Sequence, residues 1–151
     1  MLARKNGRMR TWSFRSSFVV PAPRDRVQAL LVDLEGYPSW WPQVRAVAKL
    51  GDDDALVVCR STLPYSLHLH LHAVHRLPDL LETTIDGDLV GVVRWRLADH
   101  PSGTKLDFEQ DVRVAGRFLT IGSYVVRPLL QWNHGRMMAG CEQGLRSRVD
   151  V

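Results

Sequence analysis

Three of the six histidines in this 151-residue chain alternate with leucines, Leu67-His68-Leu69-His70-Leu71-His72, and this is the spacing most suggestive of chemistry. On a β-strand successive side chains point to opposite faces, so Leu67, Leu69, Leu71 and Ala73 share one face while His68, His70 and His72 share the other. Alternate residues stand about 6.6 Å apart, and two histidines at that spacing can supply a pair of zinc ligands, with a third from a neighbouring strand. The competing reading comes from the rest of the chain. Leu89, Val93, Trp95 and Leu97 oppose Arg94 and Arg96, and Leu106 and Phe108 oppose Asp107, Glu109 and Asp111. Each of these runs has one apolar and one charged face, so cross-strand charge pairing on a solvated surface accounts for the histidines without a metal. No metal site is expected. The histidines are expected to face outward and the leucines inward.

His134 is the second candidate. Leu130, His134, Met137, Cys141 and Leu145 recur at the spacing of one face of an amphipathic helix, which turns the imidazole toward the core or a cavity. A buried imidazole can hydrogen-bond a ligand carbonyl or hydroxyl, or act as an acid or base near neutral pH; equally, it can be a core histidine satisfied by the protein itself. Asn133 can share either role. Trp40 and Trp41 can form the lip of a cavity or pack the corner beneath it. Met137 and Met138 can fill core gaps or adapt to a ligand, and Gly140 and Gly144, one turn apart, let the helix approach the sheet closely. Ser61, Ser66, Cys59 and Cys141 offer nucleophilic atoms, but none sits in a recognisable elbow or beside an evident base, and no phosphate-cradling glycine loop occurs. Cyclase-type chemistry needs only a shaped cavity and polar groups such as Arg60, Tyr65 or His134. Whether the chain is an enzyme stays open, and no catalytic residue is assigned.

The elements that must position these residues follow from periodicity. Alternation from Trp12 to Val20 predicts a first strand, stopped by Pro21 and Pro23. Val27, Leu30, Leu31 and Leu34 then recur with helical spacing, and Gly36 is a stop signal. Tyr37-Pro38-Ser39-Trp40-Trp41-Pro42 brackets two tryptophans between prolines and reads as a single helical turn or a tight loop. From Val44 to Val114 turn compositions such as Gly51-Asp52-Asp53-Asp54 and Asp86-Gly87-Asp88 separate about five β-like runs, the pattern of an antiparallel meander. A long amphipathic helix closes the chain, with Pro128 starting or kinking it. A single sheet can bury its apolar face against that helix only by curling around it.

Composition bounds the partners. An apolar content of 45% supports one continuous core. The formal charge of +4 resides in Arg4, Lys5, Arg8 and Arg10; without them the chain carries 16 basic and 16 acidic residues. Residues 1–10 are therefore expected to be a disordered basic arm and residues 11–149 a single ligand-binding domain, with no basic face for nucleic acid. No apolar run reaches the roughly 18 residues of a membrane helix, and the two cysteines form neither a disulfide framework nor a metal cluster. The expectation is a cytoplasmic monomer or homodimer with no cofactor and no integral membrane segment.

The segments Val20-Pro21-Ala22-Pro23 leading into Arg24 to Leu34, Tyr37-Pro38-Ser39-Trp40-Trp41-Pro42, and Arg127-Pro128-Leu129-Leu130-Gln131-Trp132-Asn133-His134 followed by Gly144-Leu145-Arg146 resemble the START-related helix-grip superfamily (SRPBCC), in its polyketide cyclase/dehydrase and lipid-transport branch. The resemblance covers Phe14 to Arg146. It implies an α+β helix-grip fold: a curved antiparallel sheet of about six to seven strands wrapped around a long C-terminal helix, with one or two short helices after the first strand. It also implies an internal cavity that binds a hydrophobic small molecule such as a lipid, polyketide or aromatic metabolite. The alternatives are an aromatase/cyclase or dehydratase-type enzyme acting on a polyketide-like substrate, and a protein-interaction module whose cavity is filled by its own side chains. The expected ligand-binding residues are Trp40, Trp41 and Tyr65 at the mouth or walls. Leu67, Leu69, Leu71, Trp95 and Phe108 would join them from the sheet, and Leu130, His134, Met137 and Cys141 from the helix.

Overall fold

The computed structural model describes residues 11–60, 66–114 and 127–149, without the side chains of 114 and 127–130. The basic arm expected at residues 1–10 and Tyr65 lie outside the described residues. The chain enters as strand β1 (Thr11–Val20), followed by helix α1 (Arg24–Val32), a 3₁₀ turn (Leu34–Gly36) and the short helix α2 (Tyr37–Trp40). Six strands follow: β2 (Val44–Lys49), β3 (Asp54–Cys59), β4 (Leu67–Arg76), β5 (Leu80–Gly87), β6 (Leu89–His100) and β7 (Gly103–Val114). Helix α3 (Arg127–Val149) closes the fold, with Pro128 in its first turn. That position tolerates proline because the amide it lacks would have no helical partner.

The seven strands form one antiparallel sheet in the order β1-β7-β6-β5-β4-β3-β2. The last six are a meander, as short turns require, and β1 joins its far end along a ten-residue register from Thr11 opposite Arg113 to Val20 opposite Thr104. The segment α1 to α2 carries the chain from one edge strand to the other. Register shifts at Val44/Ala46 and Ala73/His75 place irregularities in β2 and β4, where they add the curvature that wraps the sheet around α3. This is the α+β helix-grip architecture. Six strands lie where about five runs were expected between Val44 and Val114.

Two junctions hold the ends of the sheet to the helices. Gly103 adopts φ +138° in the β6–β7 turn, and a Cβ there would collide with the Val20 carbonyl oxygen. The neighbouring buried Thr104 donates its hydroxyl to the Ala22 carbonyl at 2.7 Å, fixing the start of α1 against β7. Val27 and Leu31 of α1 bury against Met138, Cys141, Leu145 and Val149, the inner stripe of α3. Helix α1 ends at Val32, earlier than the Leu34 periodicity suggested, and Gly36 terminates the 3₁₀ turn instead. The glycines of α3 do permit a close approach, but to the tryptophan corner rather than to the sheet. A Cβ at Gly144 would enter the Trp40 backbone carbonyl, and one at Gly140 would enter the Gln43 side-chain amide.

Candidate functional site

Between the concave face of the sheet and α3 the described side chains leave a cavity of about 400 Å³. Its position follows from strand alternation: Leu67, Leu69 and Leu71 of β4 line it, while His68, His70 and His72 point to the convex face. There His70 Nε2 and His72 Nδ1 both lie against Asp54 Oδ1, at 2.9 and 3.0 Å. Among the described residues no group of three or more His, Cys, Asp or Glu side chains is arranged to hold a metal ion. The acid companion of the histidines comes from the adjacent strand β3, in the manner of a cross-strand pair.

His134 sits in the wall between two phenylalanines, its ring stacked on Phe14 with centroids 4.3 Å apart and an interplanar angle of 18°. Phe108 lies on it at 5.5 Å and 30°. Trp95 continues the row against Phe108, 4.7 Å between centroids. The Nε2 atom of His134 is buried without a hydrogen-bond partner. Burial in this aromatic setting pushes its pKa down to about 4, so the ring is neutral near pH 7. A neutral imidazole with an open nitrogen can take or give one proton-mediated contact without charging the cavity. The Cys59 thiol, also in the wall, is pushed up to about 12 by burial and stays protonated.

The opposite wall is the corner after α1. Trp41 lines the cavity and donates its indole N–H to the Met137 carbonyl of α3 at 2.9 Å, which locks corner and helix together. Tyr37 lines it too, its hydroxyl donating to the Leu31 carbonyl. The open end is marked by exposed charged residues: Asp33 and Glu35 around the 3₁₀ turn, Lys49, Asp52 and Asp53 around the β2–β3 turn, and His75 and Arg76 at the end of β4.

A family model described as polyketide cyclase / dehydrase and lipid transport matches residues 11–145. The chain belongs to this family. No curated protein matches the sequence. Solved structures of the same fold include a START superfamily protein from Mycobacterium smegmatis, 19% identical over 93% of this chain and 97% of that one, with a TM-score of 0.69. The Zhui aromatase/cyclase from Streptomyces sp. R1128 is 15% identical over 93% of this chain and 94% of that one, with a TM-score of 0.75. The di-domain aromatase/cyclase StfQ of the steffimycin biosynthetic pathway is 14% identical, with a TM-score of 0.67; the match covers 99% of this chain and 55% of that one.

Within this polyketide cyclase and lipid-transport fold, Trp41, Leu67, Leu69, Leu71, Trp95 and Phe108 converge on one cavity with His134 and Met137. Two expected members do not line it. Trp40 turns away from the cavity and stacks on Trp41 at 5.8 Å while packing against Gly144, because consecutive side chains in a helical turn cannot share one direction. Cys141 lies on the helix face of His134 but is fully buried in the core beside the corner. Leu130 lies outside the residues whose side chains are described. Sequence reasoning missed Trp12 and Phe14 of β1, Gln110 of β7 and Thr83 of β5, all in the wall. Asn133, considered beside His134, also lines the cavity.

Proposed function

We propose that this protein binds a hydrophobic small molecule, a lipid, polyketide or aromatic metabolite, in the cavity beneath α3. Trp41, Leu67, Leu69, Leu71, Trp95, Phe108, His134 and Met137 would form its contacts. The observation that carries the reading is an unfilled volume of about 400 Å³, walled mainly by apolar and aromatic side chains and holding few polar groups. Ligand sites of roughly 300 to 1,000 Å³ have this character, and burial there contributes about 25 cal/mol per Å² of apolar surface. The reading as an interaction module required a cavity filled from within, and the volume that the described side chains leave open argues against it. A cytoplasmic location belongs to the same proposal, as does a monomer or homodimer that does not bind nucleic acid. Two buried thiols that form no bridge suit a reducing compartment, and among the described residues no helix is long and apolar enough to cross a membrane.

Native mass spectrometry of freshly purified protein, followed by denaturing extraction, tests the reading directly. A copurifying hydrophobic molecule released only on denaturation is expected. Protein that is empty and also fails to bind a neutral hydrophobic dye would overturn it.

A second reading, an aromatase/cyclase or dehydratase acting on a polyketide-like substrate, is favoured by His134. Its Nε2 is unpartnered in the wall and the ring is neutral near pH 7, so the nitrogen is free to hydrogen-bond a substrate carbonyl or hydroxyl, although burial makes it a weak base. Turnover of a poly-β-ketone substrate that disappears in His134→Ala would support it, whereas undiminished turnover would remove His134 from the chemistry.

A further inference from the structure

The charges around the opening bear on which polar end the ligand carries. Several already have partners. Arg76 donates to Asp53 Oδ1 at 2.7 Å and to the Asp52 backbone carbonyl, Asp54 accepts from His70 and His72 on the convex side, and His75 lies 3.6 Å from Glu82. What remains at the rim is the carboxylates of Asp33, Glu35 and Asp52 against the single ammonium of Lys49, with no ion pair to any of the four among the described residues. Among the described residues the rim is therefore net negative.

The described interior residues supply nothing to offset it. Below the rim the described lining contains no lysine or arginine, and its titratable groups, His134 and Cys59, are neutral near pH 7. A carboxylate or phosphate head group would lose hydration inside and find no counter-charge, or stay at the mouth and meet like charge. A cation at the mouth gains the opposite. Asp33 is placed to act on the wall as well as on solvent, since its carboxyl folds over the turn against Gly36, next to Tyr37. Burial, with smaller contributions from Cys141 and Asp33, raises the Tyr37 hydroxyl far above its ordinary range, so that wall too stays neutral.

We propose that the cavity selects amphiphiles bearing a cationic head group, such as a protonated amine, over carboxylates and phosphates of equal chain length, with Asp33, Glu35 and Asp52 receiving the cation at the rim. This rests on the reading of the cavity as the ligand site. The selectivity is electrostatic between solvent-exposed groups, and the Debye length is about 10 Å at 0.1 M salt, so it is strongest in dilute buffer and fades as salt is added.

The test is displacement of Nile red, a neutral dye, by three ligands with one decyl chain: decyltrimethylammonium, decanol and decanoate. In dilute buffer at neutral pH the cation is expected to displace the dye at about tenfold lower concentration than the anion, with the alcohol between them. The gap should narrow in about 1 M salt, where the Debye length is about 3 Å. It should also narrow in the triple variant Asp33→Asn, Glu35→Gln, Asp52→Asn, each ligand being referred to decanol in the same protein. Equal potency of cation and anion while decanol still displaces the dye overturns the charge selectivity and leaves the cavity reading intact. A gap that survives both salt and the triple variant overturns the assignment to the rim. If neither Nile red nor decanol binds the unmodified protein, the cavity reading itself fails and the selectivity with it. Where the triple variant does not fold, the salt series on the unmodified protein decides: a gap that persists undiminished in about 1 M salt overturns the electrostatic selectivity.

Discussion

The concave and convex faces of the sheet are made from alternate residues of the same strands, yet they meet their surroundings in opposite ways. On the convex face the polar side chains satisfy one another: Arg94 on Glu82 at 3.0 Å, Arg96 on Glu109 at 3.7 Å, Arg15 and Ser13 on Asp111 at 3.3 and 2.6 Å, and two histidines on Asp54. On the concave face Leu69, Trp95 and Phe108 bury without filling the space between them, and the Nε2 of His134 has no protein partner. Stability is therefore concentrated where the concave face meets α3 and its corner. Polar satisfaction is concentrated where the sheet meets water; of the two buried polar atoms without a partner among the described residues, Gln43 Oε1 lies beside Gly140 at the corner and His134 Nε2 lies in the cavity wall.

The largest effect should come from the corner, where α3 touches the Trp40 backbone at Gly144. Gly144→Val puts a branched side chain into a peptide carbonyl that cannot move without the α2 turn, so a loss of about 4 kcal/mol or more is expected, read by denaturant unfolding. A loss below about 1 kcal/mol would mean that the corner yields and that the concave side is not the stiff one.

His134 gives the next effect. Its pKa is near 4 in the folded chain and 6.5 as a free group, so the unfolded chain takes up the proton first as pH falls. Stability from this group is complete above about pH 6.5, declines between there and pH 4, and the total decline is about 3 kcal/mol. On the convex side Asp54 shifts in the same sense but by attraction rather than burial: the hydrogen bond from His72, then that from His70, holds its carboxyl below the ordinary range. Its contribution is present above the ordinary carboxylate pKa and is lost only as pH falls through the depressed value. Unfolding curves across pH 7 to 4 should slope in the native protein and flatten in His134→Phe. An unchanged slope would transfer the effect to another group.

The binding face can be tested without touching the fold. Met137→Trp adds volume at the cavity wall, and a neutral hydrophobic dye should bind about tenfold or more weakly while the melting temperature shifts little. Undiminished binding would place the dye outside the cavity.

The two faces were not equally legible in the sequence. The Leu67 to His72 run assigns its faces without help, because the pleat enforces a period of two and only one face can join a core. The Leu130 to Leu145 stripe likewise places His134 and Met137 inward. What could not be read was the non-local pairing. Alternation in β1 separates Trp12 and Phe14 from Ser13 and Arg15, but that Phe14 stacks on His134 depends on β1 joining β7 with Phe14 opposite Gln110. Trp40 and Trp41 are adjacent in a short turn, where no period distinguishes them, and only packing against Gly144 decides. The acidic rim was hidden for a related reason: Asp52 and Asp53 read as turn formers, and only the fold sets them around the same opening as Asp33 and Glu35.

The smallest effect belongs to the convex ion pairs, and it is the sharpest check on the comparison. Glu82 and Arg94 are the least exposed of the salt-bridged pairs, at 18% and 30% of their side-chain surface, and β5 and β6 hold them directly opposite each other. A double-mutant cycle of Glu82→Gln and Arg94→Ala should give a coupling of about 1 kcal/mol at most, because water competes for both groups and ordering two long side chains offsets the attraction. The more exposed Arg96–Glu109 pair, at 52% and 27%, should couple more weakly still. His75 complicates the first cycle, since it also approaches Glu82, so the measurement belongs in a His75→Ala background as well. A coupling above about 2 kcal/mol in both backgrounds would exceed what a solvated pair supplies. The convex network would then hold the sheet's curvature, and the shape of the cavity would depend on both faces.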